Sequence, residues 1–357
     1  MSLERDATWR PSRGGPAATR IQADDLSRVG EARRAGDAVA RSCGLDDERR
    51  GVVGIVVTEA ATNLANHAQR GYMLVRDTVA NGEAGVEVLA VDHGPGMHDL
   101  SRMFTDGYST GGTPGNGLGA MRRQASELDI YSVPGQGTVV LARIFADGPR
   151  TSSPRHALLD VGVVCAPVDG EIACGDGWCV VQDEDRAMVL LVDGLGHGPD
   201  AAHAADVAIE IFRANVSRTP AEIVLALHGA LRATRGAALA VAQVLRTSSG
   251  ATVTFCAVGN TVSAIVGPGK PKSLASLNGT AGLQVGTLRE FTQAWEPGEL
   301  LIMHTDGITS RWRLDRYPGL LQHDPAIAAA VLHRDHLRPR DDATAVALRL
   351  RPRDGGA

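Results

Sequence analysis

The sequence predicts an α+β protein that is built from two different domains. The chain of 357 residues is about twice the length of an average domain. A run of turn and linker residues, DGPRTSSP at 147–154, divides it into two stretches. Each stretch mixes helical and strand-like patterns, and no repeat at a solenoid period relates the two. We expect a first domain over 21–146, a linker over 147–154, a second domain over 155–351, and tails at 1–20 and 352–357.

The composition is typical of a soluble globular protein without attraction for polyanions. Hydrophobic residues make up 43% and aromatic residues 4% of the chain, so the cores must consist of Ala, Val, Leu and Ile. The 36 Lys and Arg against 41 Asp and Glu give a net charge of −5, which disfavours binding to nucleic acid or to an anionic membrane. The sequence has no apolar run long enough for a membrane helix and no signal-peptide stretch in its first twenty residues. We expect a cytoplasmic protein.

Hydrophobic periodicity predicts helices and strands in both domains. The Asn81-Gly82 pair is expected to join two strands of the first domain, and residues 134–137 are expected to form a hairpin turn. In the first domain the predicted helices are 29–43, 51–68 and about 117–128, and the predicted strands are 72–79 and 86–92. In the second domain the predicted strands are 188–192, 252–258, 300–304 and 343–350, and the predicted helices are about 200–214 and 220–234.

Three motifs of the first domain together indicate a nucleotide pocket. Glu59 and Asn63 are four residues apart on a predicted helix and share one face, where they can hold a hydrated Mg²⁺ and accept a proton. A strand ends at Asp92 and continues into the bend Gly94-Pro95-Gly96, where a flat ring can approach the backbone and donate an amine hydrogen to the carboxylate. Residues 109–119 (STGGTPGNGLG) open a helix whose first amides can bind phosphates. Each motif alone is a weak signal, since a Gly-rich segment is typical of ordinary loops and an Asp-x-Gly-x-Gly bend of ordinary turns, so the prediction depends on their order and spacing.

This order of motifs, ExxxN, then DxGxG, then GxGxG, resembles the GHKL ATPases. The segments YSTGG at 108–112 and LDIYSVPGQGT at 128–138 further resemble RsbT and the related anti-sigma kinases, and the resemblance covers about residues 21–145. It implies a Bergerat α/β sandwich that binds ATP and Mg²⁺ and phosphorylates STAS-domain antagonist proteins. Glu59 would take the proton of the acceptor hydroxyl, Asn63 would bind Mg²⁺, and Asp92 would recognise adenine. The residues implied to shape the pocket are Gly94, Gly96, Thr110, Gly115, Gly117 and Gly119.

Four aspartates of the second domain occupy turns at the ends of strand-like runs, and three of them are flanked by glycine. If they converge, carboxylates about 4 Å apart repel each other by several kcal/mol at an effective dielectric constant near 20, so bound cations are needed. Oxygen ligands select Mg²⁺ or Mn²⁺ over zinc, and a pair of such ions activates water for attack on a phosphoryl group. The alternative is that each Asp is part of an isolated turn. The four residues are Asp176, Asp193, Asp306 and Asp341.

The residues around these aspartates favour the metal site. The runs CGD at 174–176, VDGLGHG at 192–198, CAVGN at 256–260, IMHTDG at 302–307 and DDAT at 341–344 occur in the order of the PPM-type serine/threonine phosphatases. They most resemble the SpoIIE branch, including RsbX, over about residues 156–351. This resemblance implies an α-β-β-α sandwich with two Mn²⁺ or Mg²⁺ ions.

The resemblance also assigns roles by position. Asp193 would bridge the two ions and, with Glu59 of the first domain, is an implied catalytic residue. Asp176 and the carbonyl of Gly194 would complete the site of one ion, and Asp306 and Asp341 that of the other. Asp342 is expected to lie beside the ligands. No Arg early in the domain is clearly placed to grip the substrate phosphate; Arg155 is a candidate.

Two opposed activities on one chain indicate a bifunctional regulator of partner switching. The first domain would add phosphate to Ser or Thr of a STAS-domain switch protein, and the second would remove it from that protein or a related one. A sigma factor or a stressosome-type complex is a further expected partner. The alternative is a phosphatase whose ATP-binding domain captures a sigma factor or antagonist without catalysis. A gyrase-like ATP hydrolase is disfavoured because the long transducer region is missing, and a sensor histidine kinase because no phosphoacceptor helix precedes the pocket.

Overall fold

The structure of the chain is a computed structural model that describes residues 10–12, 17–23, 25–80, 82–97, 117–146 and 157–353. Two units are distinguished: the smaller contains Ala18–Pro154 and Arg316–His323, and the larger contains Met1–Ala17, Arg155–Asp315 and Asp324–Ala357. The predicted linker, residues 147–154, lies outside the described residues. None of the helices in the described part of the chain is long and apolar enough to cross a membrane.

The smaller unit is an antiparallel sheet with helices packed on one face. Apolar side chains that alternate along the strands, such as Val86 and Val88, pack against Val53 and Val57 of a helix. The first strand of the chain, β1 (Arg10–Ser12), belongs to the larger unit. The elements of the smaller unit, whose strand order is β2-β3-β4-β6-β5, are β2 (Thr19–Gln22), α1 (Val29–Ser42), α2 (Asp47–His67), β3 (Tyr72–Ala80), β4 (Glu83–Asp92), α3 (Gly117–Gln124), β5 (Glu127–Ser132) and β6 (Thr138–Phe145).

Two helix ends of this unit differ from the sequence prediction. Helix α2 begins at Asp47, earlier than the predicted residue 51, because the Asp46 side chain accepts a hydrogen bond from the backbone N–H of Arg49 and caps the helix. Helix α3 begins at Gly117 as predicted but ends at Gln124 and not near Leu128. Residues 127 and 128 pair with β6 instead, so sheet formation overrides the helical pattern there.

A buried group of charges crosses the sheet of the smaller unit. Glu87 on β4 is 1% exposed, and one carboxylate oxygen accepts a hydrogen bond from the Nε of Arg76 at 2.7 Å. The other oxygen accepts from the Nε of Arg143 at 2.7 Å, and Arg143 also binds Glu127 at 3.0 Å. The register pairs Arg76 and Arg143 with Glu87 across β3, β4 and β6, so each charge has a neighbour of opposite sign.

The larger unit consists of two antiparallel sheets packed face to face, with helices on both outer faces, which is an α-β-β-α sandwich. The strand order is β1-β8-β9-β10-β11-β16 in one sheet and β13-β12-β17-β18-β7 in the other, and β14 pairs with β15. Its elements after β1 are β7 (Leu159–Ala166), β8 (Asp176–Gln182), β9 (Arg186–Gly194), α4 (Pro199–Ala214), α5 (Pro220–Ala230), β10 (Ala237–Arg246), β11 (Ala251–Val258), β12 (Val262–Val266), β13 (Lys272–Leu274), β14 (Gly279–Thr280), β15 (Gln284–Val285), β16 (Phe291–Trp295), β17 (Leu300–His304), α6 (Pro325–His336) and β18 (Ala343–Leu350).

The core of the larger unit lies in two layers. Between the sheets, side chains such as Trp178, Phe255 and Met303 form one cluster. On the outer face of the six-stranded sheet, Phe212 and Leu227 of helices α4 and α5 belong to a second cluster. The central strands β9 and β17 are therefore buried on both faces, which fixes the loops at their ends.

The N-terminal segment is more ordered than the sequence prediction of a tail over residues 1–20. Arg10–Ser12 pairs with Val180–Gln182 as an edge strand of the larger unit. Thr19–Gln22 pairs with Tyr72–Val75 as an edge strand of the smaller unit. Both segments form hydrogen bonds with a neighbouring strand. Strands of three or four residues are too short to show a period in the sequence, so they are not predicted from it.

Candidate functional sites

The first candidate site lies where helix α2 meets the start of helix α3. Glu59 and Asn63 are both partly buried on α2. A Cβ atom placed on Gly117 would lie 2.9 Å from Oε2 of Glu59 and 3.2 Å from Oδ1 of Asn63. The start of α3 therefore contacts both side chains, and glycine at position 117 permits this close approach.

The bend after β4 lies against the end of the same helix. Asp92 accepts a hydrogen bond from the backbone N–H of Gly94 through Oδ1 at 2.5 Å. A Cβ atom on Gly94 would lie 3.0 Å from the carbonyl oxygen of His67, the last residue of α2. Gly96 has a φ of 68°, and a side chain there would overlap the carbonyl of Val133 in the β5–β6 turn. The three parts of the predicted pocket that are described, namely the α2 face, the bend and the α3 start, belong to one neighbourhood of the smaller unit.

Not every residue predicted for this pocket can be placed. Thr110 and Gly115 lie outside the described residues. Gly119 is buried within α3, two residues after Gly117. In the described part, the site presents a carboxylate and an amide at the first turn of a helix, which is the position where backbone N–H groups lack partners and favour anions.

The second candidate site begins where β8 and β9 carry the first two aspartates. Asp176 and Asp193 are directly opposite each other in the antiparallel register, so their side chains lie on the same face. The N–H of Gly194 donates to the carbonyl of Gly175 at 3.0 Å. A Cβ atom on Gly194 would lie 2.5 Å from the carbonyl oxygen of Ala201 in α4, so the turn requires glycine.

The other two aspartates approach from the second sheet. Asp306 follows β17 and Asp341 precedes β18, and these two strands are paired up to His304 and Ala345. A side chain on Gly307 would overlap the carbonyl of Asp342, so the two loops touch.

Hydrogen bonds connect the second sheet to the first. The hydroxyl of Thr305, the residue before Asp306, donates to Oδ2 of Asp176 at 2.7 Å. The carboxylate of Asp342 accepts the N–H groups of Val168 at 2.7 Å and Gly175 at 2.5 Å. The buried Asp342 side chain thus fixes the loop that leads to Asp176, beside the predicted ligands as expected.

The aspartate side chains lie close enough together to raise one another's pKa. Burial and the charge of Asp193 raise the pKa of Asp176 well above its usual range. Burial and the charges of Asp306 and Asp341 raise the pKa of Asp193 to about 7. Burial, together with a hydrogen bond and the charge of Asp306, raises the pKa of Asp341 to about 6. The raised pKa values mean that these carboxylates repel each other when they are ionised. Protons or bound cations therefore stabilise the cluster.

A divalent cation fits the chemistry of this cluster. Oδ2 of Asp193 is buried and has no hydrogen-bond partner, whereas buried polar atoms are normally paired. The donors around it are all oxygen atoms, which is the set that Mg²⁺ and Mn²⁺ prefer. Within the described residues, no three His, Cys, Asp or Glu side chains are already arranged as a metal cage. The side chains of Asp176 and Asp306 are instead hydrogen-bonded to Thr305 and Asn260.

Asn260 is a site residue that the sequence does not predict, although it lies in the CAVGN run at 256–260. The Asn260 amide donates to Oδ2 of Asp306 at 2.5 Å and so orients a predicted ligand. His304 is buried, with Nδ1 at 2.8 Å from the Thr305 carbonyl oxygen and Nε2 accepting from Trp312, so it is part of the packing. Arg155, the candidate for gripping phosphate, lies outside the described residues.

Comparison with known proteins gives the two units different relatives. The pattern of the "Histidine kinase-like ATPase domain" matches residues 22–144, and that of "Stage II sporulation protein E (SpoIIE)" matches residues 183–354. The chain is 32% identical over 111 residues to the serine/threonine-protein kinase RsbT of Bacillus subtilis (strain 168), which covers 31% of this chain and 84% of RsbT.

Two further known proteins are similar to the chain. The phosphoserine phosphatase RsbX of Bacillus subtilis (strain 168) is 23% identical over 141 residues, which covers 39% of this chain and 70% of RsbX. A solved structure described as "The bacterial stressosome: a modular system that has been adapted to control secondary messenger signaling" is 27% identical with a TM-score of 0.50. That match covers 54% of this chain and 99% of the other.

Proposed function

Because the chain belongs to the RsbT-like family of histidine kinase-like ATPase domains and joins such a domain to a SpoIIE-type PPM phosphatase domain, we propose that it is a bifunctional partner-switching regulator. The smaller unit phosphorylates Ser or Thr of a STAS-domain protein with ATP, and the larger unit removes phosphate from that protein or a related one. The observation that carries this proposal is that one chain has a site with Glu59 and Asn63 at the start of α3 in the smaller unit and a cluster of aspartates in the larger unit. The protein acts in the cytoplasm, with a sigma factor or a stressosome-type complex as a further partner.

In the smaller unit, the proposed chemistry uses residues that the fold brings to the start of α3. Glu59 accepts the proton of the attacking hydroxyl, and Asp92 receives a hydrogen bond from the adenine amine. Asn63 would bind Mg²⁺, which when present neutralises charge on the phosphates of ATP. Gly117 keeps the first turn of α3 open next to Glu59 and Asn63, so that backbone N–H groups can bind the phosphates. Thr110 and Gly115 complete the pocket in this proposal.

In the larger unit, the proposed chemistry depends on the aspartate cluster. Asp193, Asp176 and the carbonyl of Gly194 would hold one Mn²⁺ or Mg²⁺ ion, and Asp193, Asp306 and Asp341 the other. Such a pair of ions supplies an activated water for attack on the phosphoryl group. The chain's own residues orient the ligands.

Three residues do this orienting. Thr305 holds Asp176, Asn260 holds Asp306, and the carboxylate of Asp342 fixes Gly175 next to Asp176. The ligands are therefore supported from both sheets of the sandwich.

The test uses the full chain with radiolabelled ATP and purified STAS-domain proteins from the same genome. We expect label to appear on Ser or Thr of one of them, and we expect later addition of Mn²⁺ to release it as inorganic phosphate. Glu59→Ala should abolish transfer while ATP still binds, whereas Glu48→Ala, at an exposed position in the first turn of the same helix, should leave transfer unchanged. Asp193→Asn should transfer label but not release it.

Two results would contradict the proposal in different ways. If no STAS-domain protein is labelled although ATP binds and Mn²⁺-dependent release from a prephosphorylated protein is normal, the smaller unit is a capture module. If Glu59→Ala transfers label as well as the unchanged chain, Glu59 is not the base.

A further inference from the structure

We propose that Arg235 binds the phosphate group of the phosphoprotein substrate at the aspartate cluster. This inference rests on the proposed phosphatase function of the larger unit. Arg235 lies in the connection between the 3-10 turn Leu231–Ala233 and β10. The sequence motifs do not include it, and the candidate that the sequence offers for this role is Arg155.

The backbone of Arg235 is fixed beside the loop that follows Asp193. The carbonyl of the next residue, Gly236, accepts the N–H of Leu195 at 3.0 Å. The first residues of β10, Ala237 and Ala238, are paired with Gly194 and Asp193 respectively. Arg235 is therefore three residues before Ala238, the residue that lies directly opposite Asp193 in the sheet.

The side chain of Arg235 extends over the same loop. Its NH1 atom lies 3.2 Å from the position that a Cβ atom would occupy on Gly196, whose φ is 85°. A residue with a side chain at position 196 would push the guanidinium away, so glycine there lets the arginine lie close to the loop backbone.

The present partner of the guanidinium is weakly held. NH2 of Arg235 lies 2.8 Å from Oδ2 of Asp200 in the first turn of α4, and the two side chains are 51% and 72% exposed. Ion pairs with this exposure contribute little to stability because water and salt screen them. Arg235 can therefore exchange Asp200 for a phosphate group without disturbing the fold.

The charge of the substrate favours such a cation. A phosphomonoester carries close to two negative charges at neutral pH, and two divalent ions would only balance the four aspartates, so the charge of the phosphate itself remains to be met. Guanidinium binds phosphate through two parallel hydrogen bonds, which makes arginine suited to this task. Arg338, whose backbone N–H donates to the carbonyl of Gly307 next to Asp306, is another arginine near the cluster, so it serves as the competing candidate.

The experiment measures substrate and phosphate binding by the full chain with saturating Mn²⁺. The probes are 4-nitrophenyl phosphate for KM and kcat, and inorganic phosphate for Kd by titration calorimetry. We expect Arg235→Gln to raise both KM and the phosphate Kd about tenfold or more, as the loss of a charge-assisted hydrogen bond predicts, with a smaller change in kcat. Arg235→Lys should give intermediate values because it keeps the charge and loses the fork. Asp200→Asn should lower the phosphate Kd by about twofold to threefold, since it removes the competing carboxylate.

Arg232→Gln is the matched control, because it changes the same charge at an exposed position in the same connection. The inference is overturned if Arg235→Gln and Arg232→Gln have the same KM and phosphate Kd, or if Arg338→Gln has the larger effect. A normal circular dichroism spectrum and melting temperature of each variant exclude misfolding as the cause. If the unchanged chain neither hydrolyses 4-nitrophenyl phosphate nor binds phosphate with Mn²⁺, the proposed phosphatase function fails and this inference fails with it.

Discussion

Replacement of Asp193 by Asn should stabilise the metal-free chain while weakening its response to Mn²⁺. Asp193 carries a buried, unpartnered oxygen, and its pKa is raised from 3.8 to about 7. A pKa difference of this size corresponds to about 4 kcal/mol between the protonated and the ionised carboxyl group. Asn has nearly the same shape as Asp but no charge, so Asp193→Asn removes the repulsion at this position. The gain is smaller than about 4 kcal/mol because the neighbouring aspartates can take up protons and relieve part of the repulsion in the unchanged chain. We therefore expect a gain of about 2 kcal/mol in the free energy of unfolding at pH 8, or roughly 4–8 °C in Tm.

The pH dependence gives the sign of the effect. The folded-state pKa of Asp193 lies above its unfolded value, so the folded chain binds more protons between about pH 4 and pH 7. The contribution of this group to stability is fully present below the unfolded pKa and is lost as the pH rises through about 7. The difference between Asp193→Asn and the unchanged chain should therefore be large at pH 8 and small at pH 4.

Thermal unfolding in EDTA measures the stability of the metal-free chain, and thermal unfolding in Mn²⁺ measures the stabilisation by the bound ion. At a Mn²⁺ concentration about one hundred times Kd, a ligand of the folded state adds about 2.7 kcal/mol, and we expect this gain in the unchanged chain but not in Asp193→Asn. Asp206→Asn, at an exposed position of α4, is the control and should change Tm little under any condition. If Asp193→Asn lowers Tm in EDTA at pH 8, or has the same effect at pH 4, the ionised Asp193 side chain does not destabilise the metal-free chain.

Three further substitutions test other parts of the structure. Gly117→Ala should weaken ATP binding by about twofold to fivefold in equilibrium titration, because its methyl group would displace the flexible end of the Glu59 side chain. Gly30→Ala in an open position of α1 should not change the affinity, and equal affinities of the two variants would contradict the placement of α3. Glu87→Gln should lower the free energy of unfolding of the smaller unit by about 3 kcal/mol, because two buried arginines lose their counter-charge. Urea denaturation measures this, and a change under about 0.5 kcal/mol would show that the buried charges are not coupled. Asp342→Ala should destabilise the larger unit by about 2 kcal/mol and weaken Mn²⁺ binding, because the backbone N–H groups of Val168 and Gly175 lose their acceptor. An unchanged Mn²⁺ affinity would show that Asp342 does not position Asp176.

Elements with a clear period or a motif could be predicted from the sequence. The strands at 300–304 and 343–350 have the predicted bounds because each is a short apolar run between turn residues. Helix α6 (Pro325–His336) was not predicted, since it is Ala-rich and buried on nearly all sides and therefore has no amphipathic period. Helix α6 packs so closely against β7 that a side chain on Gly162 would overlap the backbone at Ala326. The glycine in β7 therefore makes room for the helix.

The sequence indicates the aspartates of the candidate site but not the residues that contact them. Asp176 and Asp193 are recognisable because glycine-flanked aspartates recur at strand ends. Asn260 and Arg235 make their contacts across loops that are distant in sequence, at Asp306 and Gly196 respectively. No spacing rule relates such pairs, so the folded chain was needed to find them.

The number of Mn²⁺ ions bound per chain tests the central claim most directly, namely that four aspartates distant in sequence form one site for paired divalent cations. Equilibrium dialysis at pH 8, with ATP absent, should give two ions per unchanged chain and a loss of both from Asp193→Asn, the residue proposed to bridge them. Asp206→Asn should keep both ions. Full occupancy of Asp193→Asn, or no saturable binding by the unchanged chain, would contradict the account.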